Sequence, residues 1–191
     1  MGHVLGQAIK VTLWVWVAAE IGLQMRQLLH SEHTERTEWR TLVVFPVLIA
    51  AGIELAGPVR HAVPALSYRV TAPFALIVLL VAWAGIALRL WAIITLGRFF
   101  RGTVHIQQHH QVVTSGPYRW VRHPAYSGIL LAAAALSLIM GNVASWAVFM
   151  VCCLLATCYR IRVEERVLTE ALGTAYTDYA ARTRRLIPKV W

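Results

Sequence analysis

Long apolar runs are the feature of this sequence that most restricts its fold. Apolar side chains fill most of five segments, each about as long as the roughly 17–25 residues that cross the hydrocarbon core of a bilayer. These segments are residues 8–28, 41–57, 73–95, 125–141 and 143–160. With 58% hydrophobic and only 14% charged residues, the chain is also too apolar for an ordinary soluble domain. We therefore predict an all-α integral membrane bundle of about five transmembrane helices.

The first segment is the least regular, because Lys10, Glu20 and Arg26 interrupt or flank its apolar core. A cleaved signal peptide is the alternative interpretation, with Lys10 as its basic region and residues 17–19 as a weak cleavage site. A retained membrane span is the simpler use of the segment. The start MGHVLG lacks Ser or Thr at its sixth position, so N-myristoylation is not predicted.

The distribution of Lys and Arg predicts the orientation, since basic loops stay in the cytoplasm. Residues 30–40, 97–124 and 160–191 hold most of the basic side chains, whereas the opposite side holds Lys10, Arg60 and Arg69. Five spans then put the N-terminus outside and the C-terminus in the cytoplasm. If the protein is prokaryotic, the membrane is the cytoplasmic membrane, and the active site faces the cytoplasm. The net charge of +9 follows from this sorting and from attraction to anionic lipids, and it does not require nucleic acid.

The chain is predicted to form one membrane domain, residues 1–191, with spans of unassigned role in 1–72 and the catalytic part in 73–191. Gly57-Pro58 is expected to end the second span, and Gly141-Asn142 to form a tight hairpin between the last two. That hairpin brings residues 116–126 and 158–166 to the same membrane face. The last span should continue into the cytoplasm as a helix up to Gly173. A second amphipathic piece then lies on the headgroups or folds back over the helix ends.

Ionisable side chains cluster near the cytoplasmic end of the last spans. Arg160 and Glu164 are four residues apart on one helix face, and Glu165 lies one residue further round. A simple i,i+4 ion pair is possible, but the favoured order places the acid before the base, and ionisable groups at membrane depth lean towards function. Glu54 is most simply explained as exposed near the interface. Arg89 either reaches to the interface or faces a polar cavity, and both readings stay open.

The stretch GPYRWVRHPAYSG, residues 116–128, precedes the fourth apolar run. Pro124 suits the first turn of a helix, and His123 lies at its N-terminus, where backbone N–H groups favour anionic ligands. The alternative to a ligand site is that this stretch is a collar of basic and aromatic residues that orients the span. His105 and His109 have i,i+4 spacing, yet no Cys or acidic residue completes a zinc set in that loop, so no metal site is predicted. The three cysteines, which all lie in the fifth run, are predicted to serve packing: Cys152, Cys153 and Cys158.

Together these motifs resemble the signature of the isoprenylcysteine carboxyl methyltransferase family. The resemblance rests on residues 110–118, on Arg122 to Tyr126, on Arg160 with Glu164-Glu165, and on Gly173, Tyr176 and Tyr179. It covers residues 97–188, about half of the chain, and the first two spans contribute nothing to it. The chain departs from eukaryotic members of the family by lacking several N-terminal spans, by a shorter stretch before His110 and by Pro117.

The resemblance implies S-adenosylmethionine as the methyl donor and a lipophilic acceptor that enters from the bilayer. Arg160 would bind the acceptor carboxylate, with Arg89 nearby, and Glu165 is the nearest base if the acceptor were an amine. The residues implied for the methyl donor are His110, Gln111, Val112, Val113, Gly116, Tyr118, His123, Pro124, Ala125, Tyr126 and Glu164.

The predicted activity is methyl transfer to the carboxylate of an isoprenylcysteine-like acceptor. Such a carboxylate is already ionised at neutral pH, so transfer requires alignment and exclusion of water rather than a general base. Other candidates are N- or S-methylation of a phospholipid or another small molecule, NADPH-dependent reduction of a sterol-like substrate, and a non-enzymatic protein that binds anionic lipid. No G-x-G-x-x-G follows a strand pattern, so no soluble dinucleotide-binding site is predicted.

Overall fold

The computed structural model describes residues 6–9, 11–12, 14–16, 22, 39–97, 112–188 and 190. The described residues between 6 and 16, and residue 22, are helical. From Trp39 onwards five helices follow one another along the chain: α1 (Trp39–Ala62), α2 (Ala72–Leu96), α3 (Pro124–Ser137), α4 (Val143–Leu172) and α5 (Thr174–Arg182). Short 3-10 turns at Pro64–Leu66, Gly116–Arg119 and Leu138–Met140 link them. The same ranges contain two isolated bridges and no strand, which confirms the predicted all-α class.

In the part of the chain that the structure describes, three helices are long and apolar enough to cross a bilayer: Val43–Ala62, Ala72–Leu96 and Val143–Leu172. The chain is therefore an integral membrane protein. The fourth predicted span, residues 125–141, corresponds to a shorter apolar helix over Pro124–Met140, in which a 3-10 turn follows the 14 residues of α3. At about 1.5 Å per residue for α3 and about 2.0 Å for the turn, this helix rises about 27 Å, a little less than the roughly 30 Å of a hydrocarbon core. The first predicted span, residues 8–28, lies mostly outside the described residues, and the total of five remains a prediction.

The prediction that Gly57-Pro58 ends the second span is wrong. Helix α1 continues to Ala62 with Pro46 and Pro58 inside it. A proline removes one hydrogen bond of the helix, which neighbouring contacts can offset. Those contacts lie on either side of Pro58: the Ser145 hydroxyl donates to the Ala56 carbonyl at 2.6 Å, and Arg60 Nη1 donates to the Met140 carbonyl at 2.8 Å.

Helices α2 and α3 pack with their backbones in contact. A Cβ atom built on Gly85 would lie 2.7 Å from the Gly128 carbonyl oxygen, and one on Gly128 would lie 2.7 Å from the Arg89 nitrogen. Small residues at a crossing allow membrane helices to approach this closely. A buried cluster of Val78, Ala82, Ala135 and Leu136 continues the interface, and Trp16 of the N-terminal segment packs against it.

Helix α1 packs against α4 and runs antiparallel to it. They are in close contact at Gly52, where a Cβ atom would lie 3.1 Å from both Cys152 Cβ and Phe149 Cδ2. The predicted packing role of the cysteines agrees with this contact, since Cys153 is buried and all three cysteines are free thiols. Further along α1, the Ala56 carbonyl accepts from the hydroxyl of Ser145, which precedes Cys152 in α4. This order of contacts shows that the two helices run antiparallel.

The hairpin between α3 and α4 is confirmed as a tight turn. Gly141 has φ 68°, and the Asn142 side chain caps α4 by accepting the Ser145 N–H at 3.0 Å. The same amide donates to the Val63 carbonyl and to the Ser67 hydroxyl, each at 3.0 Å. The turn therefore binds directly to the connection between α1 and α2.

At the other end of the bundle, Gly173 ends α4 with φ 54°, and its N–H donates to the Thr169 carbonyl at 3.0 Å. This confirms the predicted helix end. Helix α5 follows at once, and the chain beyond it pairs with the loop before α3, as Val121 and Arg184 form a parallel bridge. The described part of residues 174–191 therefore folds back over the helix ends, which was one of the two predicted alternatives.

Candidate functional site

Tyr126 joins α3 to the ionisable face of α4. Its hydroxyl donates to Glu164 Oε2 at 2.9 Å and accepts from Arg160 Nε at 2.7 Å. Because Tyr126 is in the first turn of α3, the hairpin brings it level with this part of α4, as the sequence predicted. The three side chains form one hydrogen-bonded chain that runs from a cation through a phenol to a carboxylate.

Glu165 faces a different set of partners, although it is adjacent to Glu164. Its Oε1 accepts from Arg122 Nε at 2.9 Å and lies 3.3 Å from His123 Nε2. Its Oε2 accepts from Arg185 Nε at 2.9 Å and lies 2.8 Å from Arg185 Nη2. The Glu165 side chain is only 13% exposed, so these partners replace water around both oxygens.

The segment after α5 is tied to the entrance of α3 by backbone and side-chain bonds. The N–H groups of Arg122 and His123 donate to the carbonyls of Arg184 and Arg185 at 2.6 and 2.9 Å. The Ser127 hydroxyl donates to the Leu186 carbonyl at 2.6 Å. Two donors near the N-terminus of α3, the His123 N–H and ring, are therefore engaged within the protein.

Tyr118 belongs to the apolar part of this region. It is buried with Ala92 and Ala125, and the half-buried Val113 packs against the same cluster. The Tyr118 carbonyl accepts the hydroxyl of Tyr179 at 2.7 Å. Burial raises the pKa of Tyr179 to about 12, so the hydroxyl keeps its proton and acts as a donor. Helix α5 is thereby held against the loop that precedes α3.

Gly116 allows that loop to pass close to the end of α2. It has φ 57°, and a Cβ atom there would lie 2.8 Å from the Thr95 hydroxyl oxygen. Both the positive φ and the close contact exclude other residues without rearrangement. The structure thus assigns Gly116 a role in shaping the loop, whether or not it contacts a ligand.

Tyr176 carries a buried hydroxyl with no hydrogen-bond partner in the described part of the chain. The residue is 5% exposed, and burial followed by the charges of Glu165 and Glu164 raises its pKa above the ordinary value. The hydroxyl therefore stays protonated. A buried donor without a partner is rare in folded proteins.

Some of the remaining predicted site residues lie near the first turn of α3, and others lie outside the described residues. Pro124 and Ala125 are buried in the first turn of α3, and the half-buried Arg89 approaches them, with its Nη1 donating to the Ala125 carbonyl at 3.3 Å. Val112 is half-buried. His110 and Gln111 lie outside the described residues, as do His105 and His109. Among described residues, no group of three His, Cys, Asp or Glu side chains could hold a metal ion.

Several residues at this site were not among those predicted. Arg122 and Arg185 surround Glu165, and Phe45 of α1 lies beside Arg160, with its ring centroid 5.5 Å from the guanidinium carbon. The sequence could have indicated Arg122, because it immediately precedes the predicted site residue His123. Nothing local distinguishes Arg185 or Phe45, because both reach the site only through distant packing.

Comparisons with known proteins agree on one family. The sequence model of the isoprenylcysteine carboxyl methyltransferase family matches residues 76–170. The chain is 37% identical over 108 residues to protein-S-isoprenylcysteine O-methyltransferase B of Arabidopsis thaliana, covering 56% of this chain and 55% of that protein. It is 31% identical over 105 residues to the protein-S-isoprenylcysteine O-methyltransferase of Schizosaccharomyces pombe, covering 54% and 44%.

A solved structure of a eukaryotic intramembrane Ras methyltransferase, isoprenylcysteine carboxyl methyltransferase, is similar to this fold. The TM-score is 0.62 at 26% identity, over 76% of this chain and 52% of the other. The chain spans about half the length of the curated relatives it matches.

Proposed function

Because the chain belongs to the isoprenylcysteine carboxyl methyltransferase family, we propose that it transfers a methyl group to the carboxylate of a lipophilic, isoprenylcysteine-like acceptor. S-adenosylmethionine is the proposed donor. The observation that carries this proposal is the chain of hydrogen bonds from Arg160 through Tyr126 to Glu164. It places a group suited to an acceptor carboxylate beside a group suited to a donor ammonium.

The residues present fit S-adenosylmethionine. Glu164 supplies an anionic acceptor for the ammonium of its amino acid end, and the buried Tyr176 hydroxyl is a donor that lacks a partner among described residues. When bound, S-adenosylmethionine supplies an electrophilic methyl group for in-line displacement. The buried first turn of α3 and the Tyr118 cluster offer apolar walls that exclude water from such a ligand. The further contacts implied by the family for residues 110–113 remain part of the proposal.

Arg160 is the proposed clamp for the acceptor carboxylate. A guanidinium is planar, always charged and able to bind a carboxylate through two parallel hydrogen bonds, which lysine cannot reproduce. Tyr126 anchors Arg160 through Nε, and Arg89 approaches the same turn of α3. With the carboxylate already ionised, the contribution of these residues is alignment.

The geometry favours a carboxylate acceptor over an amine acceptor. An amine has to lose a proton, and Glu165 was the predicted base for that step. In the structure two guanidinium groups and a histidine surround Glu165, and the two positive charges together with the hydrogen bonds stabilise its ionised form. A carboxylate in such surroundings is a weak base. We therefore propose that Glu165 positions its partners and takes no proton.

Calorimetry with S-adenosylhomocysteine on the purified, detergent-solubilised protein tests the donor site. We expect binding to the wild type and a loss of about ten-fold or more in affinity for Glu164→Gln, because a charge-assisted hydrogen bond is removed. Glu170→Gln, which alters an exposed carboxylate of the same helix, is the matched control and keeps the affinity. Binding of NADPH without S-adenosylhomocysteine would contradict the proposal and support a reductase.

Transfer of radiolabelled methyl groups to prenylated thiol acids tests the acceptor site. We expect Arg160→Lys to lower kcat/KM for the acceptor by about ten-fold or more, with unchanged affinity for S-adenosylhomocysteine. Arg162→Lys, at an exposed position of the same helix, is the matched control. Equal transfer by both variants would remove Arg160 from the acceptor site. The positive residues on this side predict that the site faces the cytoplasm.

A further inference from the structure

We infer that Phe45 of α1 is a positioning residue for Arg160, and that α1 thereby forms part of the acceptor site. This inference rests on the proposed function of Arg160. Phe45 lies outside residues 76–170, which match the family, and outside every motif that carried the resemblance. It assigns a role to a helix for which the sequence alone predicted none.

The first observation is that aromatic rings from two helices flank the guanidinium. The Arg160 guanidinium carbon is 5.5 Å from the centroid of the Phe45 ring and 5.8 Å from the centroid of the Tyr126 ring. Both distances lie within the roughly 6 Å over which a cation is attracted to an aromatic face. The hydroxyl of Tyr126 also accepts from Arg160 Nε, so α3 holds the side chain at one point and the rings restrict the rest.

The second observation is that the packing of α1 on α4 sets the height of Phe45. The two helices touch at Gly52 and Cys152, and Ala56 pairs with Ser145 further from the site. Phe45 is seven residues from Gly52 and Arg160 is eight from Cys152. At about 1.5 Å per residue, these spacings carry both side chains roughly 11 Å along antiparallel helices to the same level. The contact therefore follows from the register of the whole interface.

The consequence is a guanidinium whose plane is set before an acceptor arrives. Two parallel hydrogen bonds to a carboxylate require that plane to match the plane of the carboxylate. A side chain that is ordered in advance loses less conformational entropy when it binds. Phe45 therefore acts on the affinity for the acceptor carboxylate and has no part in binding the methyl donor.

The test compares an S-prenylated thiopropionic acid with its uncharged amide as ligands of the purified protein, by competition binding and as KM for the acid. Phe45→Leu removes the ring and keeps an apolar side chain, whereas Phe45→Trp keeps an aromatic face. We expect Phe45→Leu to weaken binding of the acid about five-fold, in keeping with a partly desolvated cation–π contact, and to leave the amide unchanged. Phe45→Trp retains the wild-type preference for the acid.

Three controls separate this effect from loosened packing. Phe149→Leu removes another ring from the interface of α1 with α4, at Gly52, and leaves the preference for the acid unchanged. Phe45→Leu added to Arg160→Gln causes no further loss. Affinity for S-adenosylhomocysteine stays at the wild-type value in Phe45→Leu.

Two results overturn the inference, and they are distinguishable. If the wild type prefers the acid and Phe45→Leu keeps this preference, the role of Phe45 is overturned and the proposed function stands. A wild type that binds acid and amide equally overturns the proposed function, and the inference with it.

Discussion

At the scale of single residues, Tyr126 is the centre of the site. Its hydroxyl is acceptor to Arg160 and donor to Glu164, so two groups with different proposed ligands share one phenol. A ligand that binds Glu164 also changes the hydrogen bond that Tyr126 accepts from Arg160. The residue thereby couples the proposed donor and acceptor sites.

Replacement of Tyr126 by phenylalanine tests this coupling. We expect kcat/KM for the acceptor to fall about ten-fold or more, because two hydrogen bonds to charged groups are lost. The ring remains, so the fold is retained, with a moderately lower unfolding midpoint because Arg160 and Glu164 each lose a partner. Tyr159→Phe, at a half-buried position of α4, is the control and retains activity. Normal activity in Tyr126→Phe would show that the hydroxyl only fills space.

Unlike Glu164, Glu165 is expected to contribute mainly to the stability of the fold. Glu165→Gln leaves the guanidinium groups of Arg122 and Arg185 close together without their counter-charge and alters the contact with His123. Removal of one partner from a poorly exposed ion pair costs about 3 kcal/mol. We expect a lower unfolding midpoint and faster tryptic cleavage after Arg184 and Arg185, both measured on the purified protein.

The outcome for Glu165 separates two roles. Asp178→Asn is the control, since it removes a carboxylate from an exposed position of α5 and should change neither readout. If Glu165→Gln abolished transfer to an amine acceptor while the unfolding midpoint and the cleavage rate stayed at wild-type values, Glu165 would be the base that the sequence first suggested.

At the scale of helices, the crossing of α2 and α3 depends on two glycines. The backbones touch at Gly85 and Gly128, and this contact places Arg89 against the first turn of α3. The sequence shows Gly128 only as one residue after the conspicuous HPAYS stretch. Its function at the crossing becomes visible once the two helices are packed.

Gly128→Ala tests the crossing. The new Cβ would lie 2.5 Å from the Gly85 carbonyl oxygen and 2.7 Å from the Arg89 nitrogen, and backbone atoms of two helices cannot move aside cheaply. Overpacking of this kind costs about 1–3 kcal/mol. We expect a lower unfolding midpoint and weaker binding of the acceptor acid. Gly57→Ala, where nothing lies within 4 Å, is the matched control and should not destabilise the protein.

At the scale of the whole molecule, the two ends of the bundle are held in different ways. The end with the hairpin is closed by Asn142, which is fully buried and binds the connection between α1 and α2. The end with the site is closed by the segment after α5, which pairs with residues 121–123 and reaches Glu165 through Arg185. Both ends are therefore held by contacts between segments that are distant in the sequence.

Much of the architecture could be read from the sequence because its causes are local. Apolar runs of membrane length, the Gly141-Asn142 turn and the helix end at Gly173 each depend on a few neighbouring residues. The turn also implies that residues near 126 and 160 meet, since two helices leaving a tight hairpin must run side by side. The error at Pro58 has the opposite cause, because contacts from α4 and from the 3-10 turn before it support the helix around a local breaker.

The sequence by itself determined that this chain enters a membrane, turns tightly at Gly141 and brings its ionisable residues to one end. Only the tertiary structure decided the partners of those residues. Glu164 and Glu165 are adjacent, yet about 100° apart around the helix, so one faces Tyr126 and the other faces Arg122 and Arg185. Phe45 reaches Arg160 across more than a hundred residues of sequence. Such pairings follow from how distant helices pack, and the periodicity of a single segment carries no information about them.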